Sequence, residues 1–99
     1  MDTYKKYYVY TILSLHDFDI YTGLTTDLKT RINEHMRGVV SSTKIRIPFK
    51  LIHYEYFVNF EDAKRREIYL KSGAGRAKLK DSLKKTLAQK TYMPYRMIR

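Results

Sequence analysis

Tyr7-Tyr8-Val9-Tyr10-Thr11-Ile12-Leu13 is followed, after the polar segment 14–19, by Ile20-Tyr21-Thr22-Gly23-Leu24. Both runs are β-branched and aromatic, so each predicts a strand. The connection is short enough for a hairpin, which makes the pair antiparallel. On such a strand residues two apart share a face, so Tyr8 and Tyr10 point the same way.

Downstream, Thr25 and Thr26 are suited to cap a helix whose first turn holds Asp27. Leu28, Ile32 and Met36 give it an apolar stripe, and Arg37 with Gly38 ends it. A loop over 39–48 carries Ser41-Ser42-Thr43-Lys44 and Arg46. Phe49 to Val58, rich in Ile, Val, Phe and Tyr, predicts the third strand. Asn59 can cap a helix over about 60–71, and Gly73 and Gly75 punctuate the chain just beyond it. The segment 76–87 sets Leu79, Leu83 and Leu87 on one helical face among lysines. Residues 88–99, with Pro94 and no clear periodicity, read as a tail that docks or frays. The order β-β-α-β-α-α is an α+β arrangement, a small sheet with helices packed on it, forming one domain over 1–87.

Ninety-nine residues suit one small domain, and 43% hydrophobic with 30% charged residues suits a globular one. There is no cysteine, which excludes disulfides and thiolate zinc sites. His16, His35 and His53 lack paired metal-ligand spacing. No apolar run approaches a membrane span and no signal-peptide core is present, so the expectation is a soluble, cytoplasmic protein. Twenty Lys and Arg against ten Asp and Glu leave a net charge of +10. A domain this basic favours polyanions through phosphate contacts and counterion release.

Arg31 and His35 stand one turn apart and flank the apolar stripe, so both lean toward the sheet. The guanidinium offers a planar fork for phosphate, or a partner for Asp27; the imidazole is a proton carrier or an ordinary half-buried histidine. Tyr10 and Tyr21 are packing residues unless a neighbour helps a phenol of ordinary pKa about 10 to exchange its proton. Glu67 shares a helical side with Phe60, Ala63, Leu70 and Lys71. An acid there is costly unless it pairs with Lys71, bridges into the core, or holds a divalent cation. Thr43, Lys44 and Arg46 in the loop, and Lys64, Lys71 and Arg76 near the last helices, offer a surface for phosphates. No helix-turn-helix, zinc finger or aromatic RNA-binding signature is present, so base-specific readout is not indicated.

These residues in this order resemble the GIY-YIG nuclease superfamily, in particular its small stand-alone bacterial members related to the nuclease domain of the excision-repair machinery. Tyr8-Val9-Tyr10 stands for the first motif and Tyr21-Thr22-Gly23 for the second, with Tyr8 in place of a glycine and Thr22 in place of an aliphatic residue. Thr25-Thr26-Asp27-Leu28, Arg31, His35, Ser42-Thr43-Lys44, Pro48-Phe49 and Ala63-Lys64-Arg65-Arg66-Glu67 continue the pattern. Some members use an Asn beyond the glutamate, and none occurs here after Asn59. The resemblance implies a three-stranded antiparallel sheet flanked by helices and a DNA endonuclease dependent on Mg²⁺ or Mn²⁺. It implies that Tyr10 helps activate water, Tyr21 orders the site, Arg31 stabilises phosphate charge, His35 assists proton transfer and Glu67 holds the metal. Tyr10, Tyr21, Arg31 and Glu67 are then expected to line a single cleft at one side of the sheet. The competing expectations are a nucleic-acid-binding module of the same fold that cuts little, and a basic structural protein.

Overall fold

The computed structural model describes residues 5–89. β1 (Tyr7–Ser14), β2 (Ile20–Thr25) and β3 (Phe49–Phe57) form an antiparallel sheet in the order β2-β1-β3. The first two strands are the predicted hairpin, and β1 is central because it pairs on both sides. The β1–β3 register slips between Thr11 and Ile12, which pair with His53 and Leu51 and leave Ile52 as the extra residue.

α1 (Leu28–Met36) follows β2. Its cap is Asp27, one or two residues later than the expected threonines. A carboxylate has two acceptor oxygens: Oδ1 takes the Thr30 amide at 3.2 Å and Oδ2 the Thr30 hydroxyl at 2.9 Å. Thr25 Oγ1 instead takes the Asp27 amide at 3.1 Å. The stripe of α1 also shifts. Ile32 and His35 are buried, whereas Met36 is 43% exposed. The helix turns its i, i+3 row to the sheet, and rings from β1, β2 and β3 surround position 35. Gly38 ends this segment with a φ of 74°, where a side chain would be strained.

α2 (Phe60–Lys71) has the predicted bounds and cap: Asn59 Oδ1 accepts the amides of Glu61 and Asp62 at 2.8 and 3.1 Å. The last predicted helix is two, α3 (Gly73–Ser82) and α4 (Lys84–Leu87). Ser72 ends α2 and caps α3, its hydroxyl accepting the Gly75 amide at 3.1 Å. A Cβ on Gly75 would collide with the Tyr69 carbonyl, so the tight α2–α3 corner needs that glycine. The break at Leu83 leaves Leu79, Leu83 and Leu87 on the same core as their spacing predicts.

The two faces of the sheet are covered by different helices. Val9, Leu13 and Ile20 pack against Ala63, Leu70 and Leu79 of α2 and α3. Tyr10, Ile12 and Phe49 pack against Ile32 of α1. The sheet is thus the middle of three layers. No helix among the described residues is long and apolar enough to cross a membrane. The tail expected over 88–99 lies, from residue 90 onward, outside the described residues.

Candidate active site

Tyr10 pairs with Gly23 and Ile12 with Tyr21 across the hairpin, so all four occupy the face that α1 covers. The Tyr10 phenol lies over Gly23. A Cβ at position 23 would stand 2.5 Å from Tyr10 Cζ and closer still to its oxygen. The bare backbone therefore makes room for the phenol. His35 descends from α1 onto it: Nε2 is 2.8 Å from Tyr10 Oη, and Nδ1 is 2.8 Å from Thr43 Oγ1. The rings of Tyr10, Tyr21 and Phe49 enclose the imidazole at centroid distances of 5.6, 5.3 and 5.9 Å. Tyr10, His35 and Thr43 are fully buried.

Burial pushes the Tyr10 phenol up to about 12, although the Arg31 guanidinium pulls it partly back. The charge on Glu67 adds to the rise, so the field of that carboxylate reaches the phenol. Burial also lowers His35 below its ordinary 6.5, and the positive Arg31 lowers it further. At neutral pH a neutral phenol therefore faces a neutral imidazole. With the proton on Nδ1, His35 donates to Thr43 Oγ1 and Nε2 accepts from the phenol; the other tautomer reverses both bonds.

Arg31 is partly exposed, and its Nη1 donates to Glu34 Oε1 at 2.8 Å, not to Asp27. It opens onto a cleft of about 500 Å³ shared with Tyr7, Leu24, Thr25, Glu34 and Phe60. Glu67 has a side chain only 9% exposed. Lys64 Nζ stands 3.1 Å from Oε1 and Lys71 Nζ 3.0 Å from Oε2. Burial works against its charge, but the two ammonium groups outweigh that and hold its carboxyl below the usual range. The pair with Lys71 expected from the i, i+4 spacing is therefore present, joined by Lys64.

The expected single cleft is not a groove on one face. α1 and α2 cover opposite faces, so Tyr10 and His35 lie on one side of the sheet and Glu67 reaches it from the other. The link is Lys71, whose Nζ is 5.8 Å from the Tyr21 ring centroid while bridging Glu67.

Of the residues expected to bind nucleic acid, Thr43 is buried, with its hydroxyl 2.8 Å from His35 Nδ1. Arg46 Nε is spent on Asp17 at 3.1 Å. Arg76 ties down the Asp19 carboxylate and, at 3.2 Å, the Ile20 carbonyl. Lys44, Lys64 and Lys71 remain exposed. Sequence reasoning assigned no role to Gly23 as a seat for the phenol, nor to Glu34 as the partner of Arg31. The i, i+3 spacing signalled Glu34; nothing local signalled that position 43 would reach His35.

A family model described as the GIY-YIG catalytic domain matches residues 6–80. The chain belongs to the GIY-YIG family. Curated relatives match most of its length. It is 37% identical over 86 residues to a UPF0213 protein of Clostridium perfringens, covering 86% of this chain and 91% of that one. It is 40% identical over 76 residues to one of Staphylococcus haemolyticus, covering 76% and 92%. A Streptococcus agalactiae relative is 40% identical over 73 residues, covering 73% and 82%. No solved structure matches the chain significantly. GIY-YIG membership suggests a nuclease that acts on DNA.

Among the described residues no three His, Cys, Asp or Glu side chains converge as a metal site. A cation held by several protein ligands, such as zinc, does not fit. Glu67 does suit a hard divalent ion that takes one carboxylate and completes its shell from water and phosphate oxygens. Two half-exposed ammonium groups already occupy the cation positions around its oxygens.

Proposed function

We propose that this chain is a divalent-metal-dependent endonuclease that hydrolyses DNA phosphodiester bonds without strong sequence preference. The observation that carries the reading is the buried Tyr10–His35 hydrogen bond of 2.8 Å, set between Arg31 and the field of Glu67. A phenol with a pKa of about 12 is not a base by itself at neutral pH. It would work as a relay once bound DNA brings a water against the buried phenol: as that water attacks phosphorus, Oη accepts its proton while the phenol's own proton passes to His35 Nε2, and the imidazolium returns that proton to solvent after cleavage. The new P–O bond forms, the bond to the leaving oxygen breaks, and that oxygen takes a proton from solvent. Thr43 Oγ1 can accept from Nδ1–H, the tautomer that leaves Nε2 free to take the phenol proton. Arg31 balances the charge that grows on the phosphate oxygens. Glu67 would hold Mg²⁺ or Mn²⁺, with Lys64 and Lys71 turning to the DNA backbone. When bound, that ion supplies charge neutralisation at the phosphate.

The alternative, a module of this fold that binds nucleic acid with little cleavage, is favoured by the engagement of both Glu67 oxygens with lysines. A plasmid and branched-DNA panel with Mg²⁺ or Mn²⁺ separates the two. Nicking that requires the ion is expected. Binding without any cleavage across the panel would favour the alternative. Binding of random duplexes should also fall steeply with salt, as the net +10 charge requires.

The relay sets the sign of the pH dependence. His35 must be unprotonated to accept, and its pKa lies below 6.5. The single-turnover rate should rise with pH below 6.5 and then stay level, because Tyr10 ionises only near 12. Folding that lowers an imidazole pKa also costs stability as pH falls below 6.5, so melting is followed in parallel. A rate that, in folded protein, is unchanged down to the pH where Glu67 protonates would remove His35 from the relay.

A further inference from the structure

Tyr8, Tyr54 and Tyr56 lie on the same face as Tyr10, since Tyr8 pairs with Tyr56 and Tyr10 with Tyr54. The Tyr8 ring meets Tyr54 edge-on at 6.0 Å and Tyr56 tilted at 5.8 Å. Tyr54 and Tyr56 are 52% and 51% exposed, so about half of each residue is open to solvent. Tyr8 and Tyr54 continue into a cleft of about 540 Å³ alongside α1, with Lys6 and Lys29 at its margin. Its one acidic residue, Asp27, is occupied with the Thr30 amide and hydroxyl. Exposed π-faces flanked by ammonium groups match the two parts of an unpaired nucleotide, base and phosphate.

We propose that the Tyr8–Tyr54–Tyr56 face is a stacking platform for an unpaired stretch of DNA that flanks the candidate site. The inference rests on the nuclease reading and names its substrate class: DNA with a single-stranded segment beside the scissile bond. Tyr10 is two residues from Tyr8 on the same face, but α1 covers Tyr10 and leaves Tyr54 and Tyr56 exposed, so the platform lies outside the buried relay. Stacking on tyrosine tolerates any base, which agrees with the absence of a base-reading element. A paired duplex keeps its bases stacked on one another and gains nothing from these rings.

The test is binding to labelled oligothymidylate, a hairpin duplex of equal phosphate number and oligouridylate, without divalent ion. Tyr54→Ser/Tyr56→Ser should weaken oligothymidylate binding by roughly tenfold or more, given the usual worth of a base–aromatic stack. Duplex binding should stay within about twofold, a change well under the energy of one stack. Tyr54→Phe/Tyr56→Phe keeps the rings and should bind like wild type. Photocrosslinking of wild-type protein to iododeoxyuridine oligomers, which needs no variant, should label Tyr8, Tyr54 or Tyr56. An equal loss for duplex and single strand, no loss in the folded serine variant, crosslinks confined to other residues, or tighter binding of oligouridylate would each overturn the proposal. The readout is binding alone, so a wild-type chain that cuts nothing would fail the nuclease reading while these ratios still judge the platform.

Discussion

Glu67→Gln is expected to lower cleavage by about a thousandfold or more while leaving DNA binding intact or tighter. The substitution keeps the shape of the side chain but removes the charge that would hold a divalent ion, whose contribution is typically several kcal/mol of transition-state stabilisation. Binding need not suffer, because Lys64 and Lys71 lose the carboxylate that now engages both and gain freedom to meet phosphate. The competing account makes Glu67 a structural partner of those lysines. Both lysines are half exposed and reach water when the carboxylate is lost, so removing its charge leaves no buried ammonium behind. That account predicts a small drop in melting temperature and full cleavage by the folded fraction. The pH dependence of stability adds a check. The carboxyl of Glu67 is held below its ordinary 4.5, so its contribution is fully present above 4.5 and is lost as pH falls through the lowered value. The glutamine variant should lack that step. Cleavage, binding and melting measured on one sample decide the matter: wild-type cleavage by well-folded Glu67→Gln removes the metal role.

The parts of this molecule legible in its sequence are those set by local chemistry. Asn59 offers an acceptor to the first amides of the helix, and the bounds of α2 came out as its position predicts. The hairpin was legible because β-branched and aromatic runs flank a short polar turn. Asp27 displaced Thr25 and Thr26 as the cap because its second oxygen also reaches the Thr30 hydroxyl, a choice between adjacent acceptors that spacing does not rank. Longer-range facts were out of reach. Periodicity says that α1 and α2 each bury a face, but not that they bury them on opposite sides of the sheet. The depth of His35 depends on Phe49 and Thr43, from a strand and a loop beyond α1. Tyrosines were legible as sheet residues, yet burial of Tyr10 and exposure of Tyr54 and Tyr56 follow from where α1 stops covering the sheet.

Gly23→Ala is expected to lower cleavage by about a hundredfold or more through Tyr10, although position 23 carries no functional group. The added methyl carbon would stand 2.5 Å from Tyr10 Cζ and 3.0 Å from Cε2. Neither group can yield cheaply. Gly23 is fixed in the β1–β2 ladder opposite Tyr10, and the phenol is pinned by its 2.8 Å bond to His35, itself pinned by Thr43. The ring must swing away, and a displacement of about 1 Å at a reacting group can cost a hundredfold in rate. Overpacking of a buried contact costs about 1–3 kcal/mol, which in a domain of this size lowers the melting temperature by roughly 4–8 °C per kcal/mol. The fold should survive, so activity of the folded fraction is the informative quantity. Tyr10→Phe removes the relay oxygen while leaving the ring in place. If Gly23 acts only by seating that oxygen, the two losses should not add: the double variant should cleave no more slowly than Tyr10→Phe alone, after correction for folding. Additive losses would assign Gly23 a separate role, such as close approach of the DNA backbone to the β2 edge. Wild-type cleavage by folded Gly23→Ala would show that the seated phenol is not required.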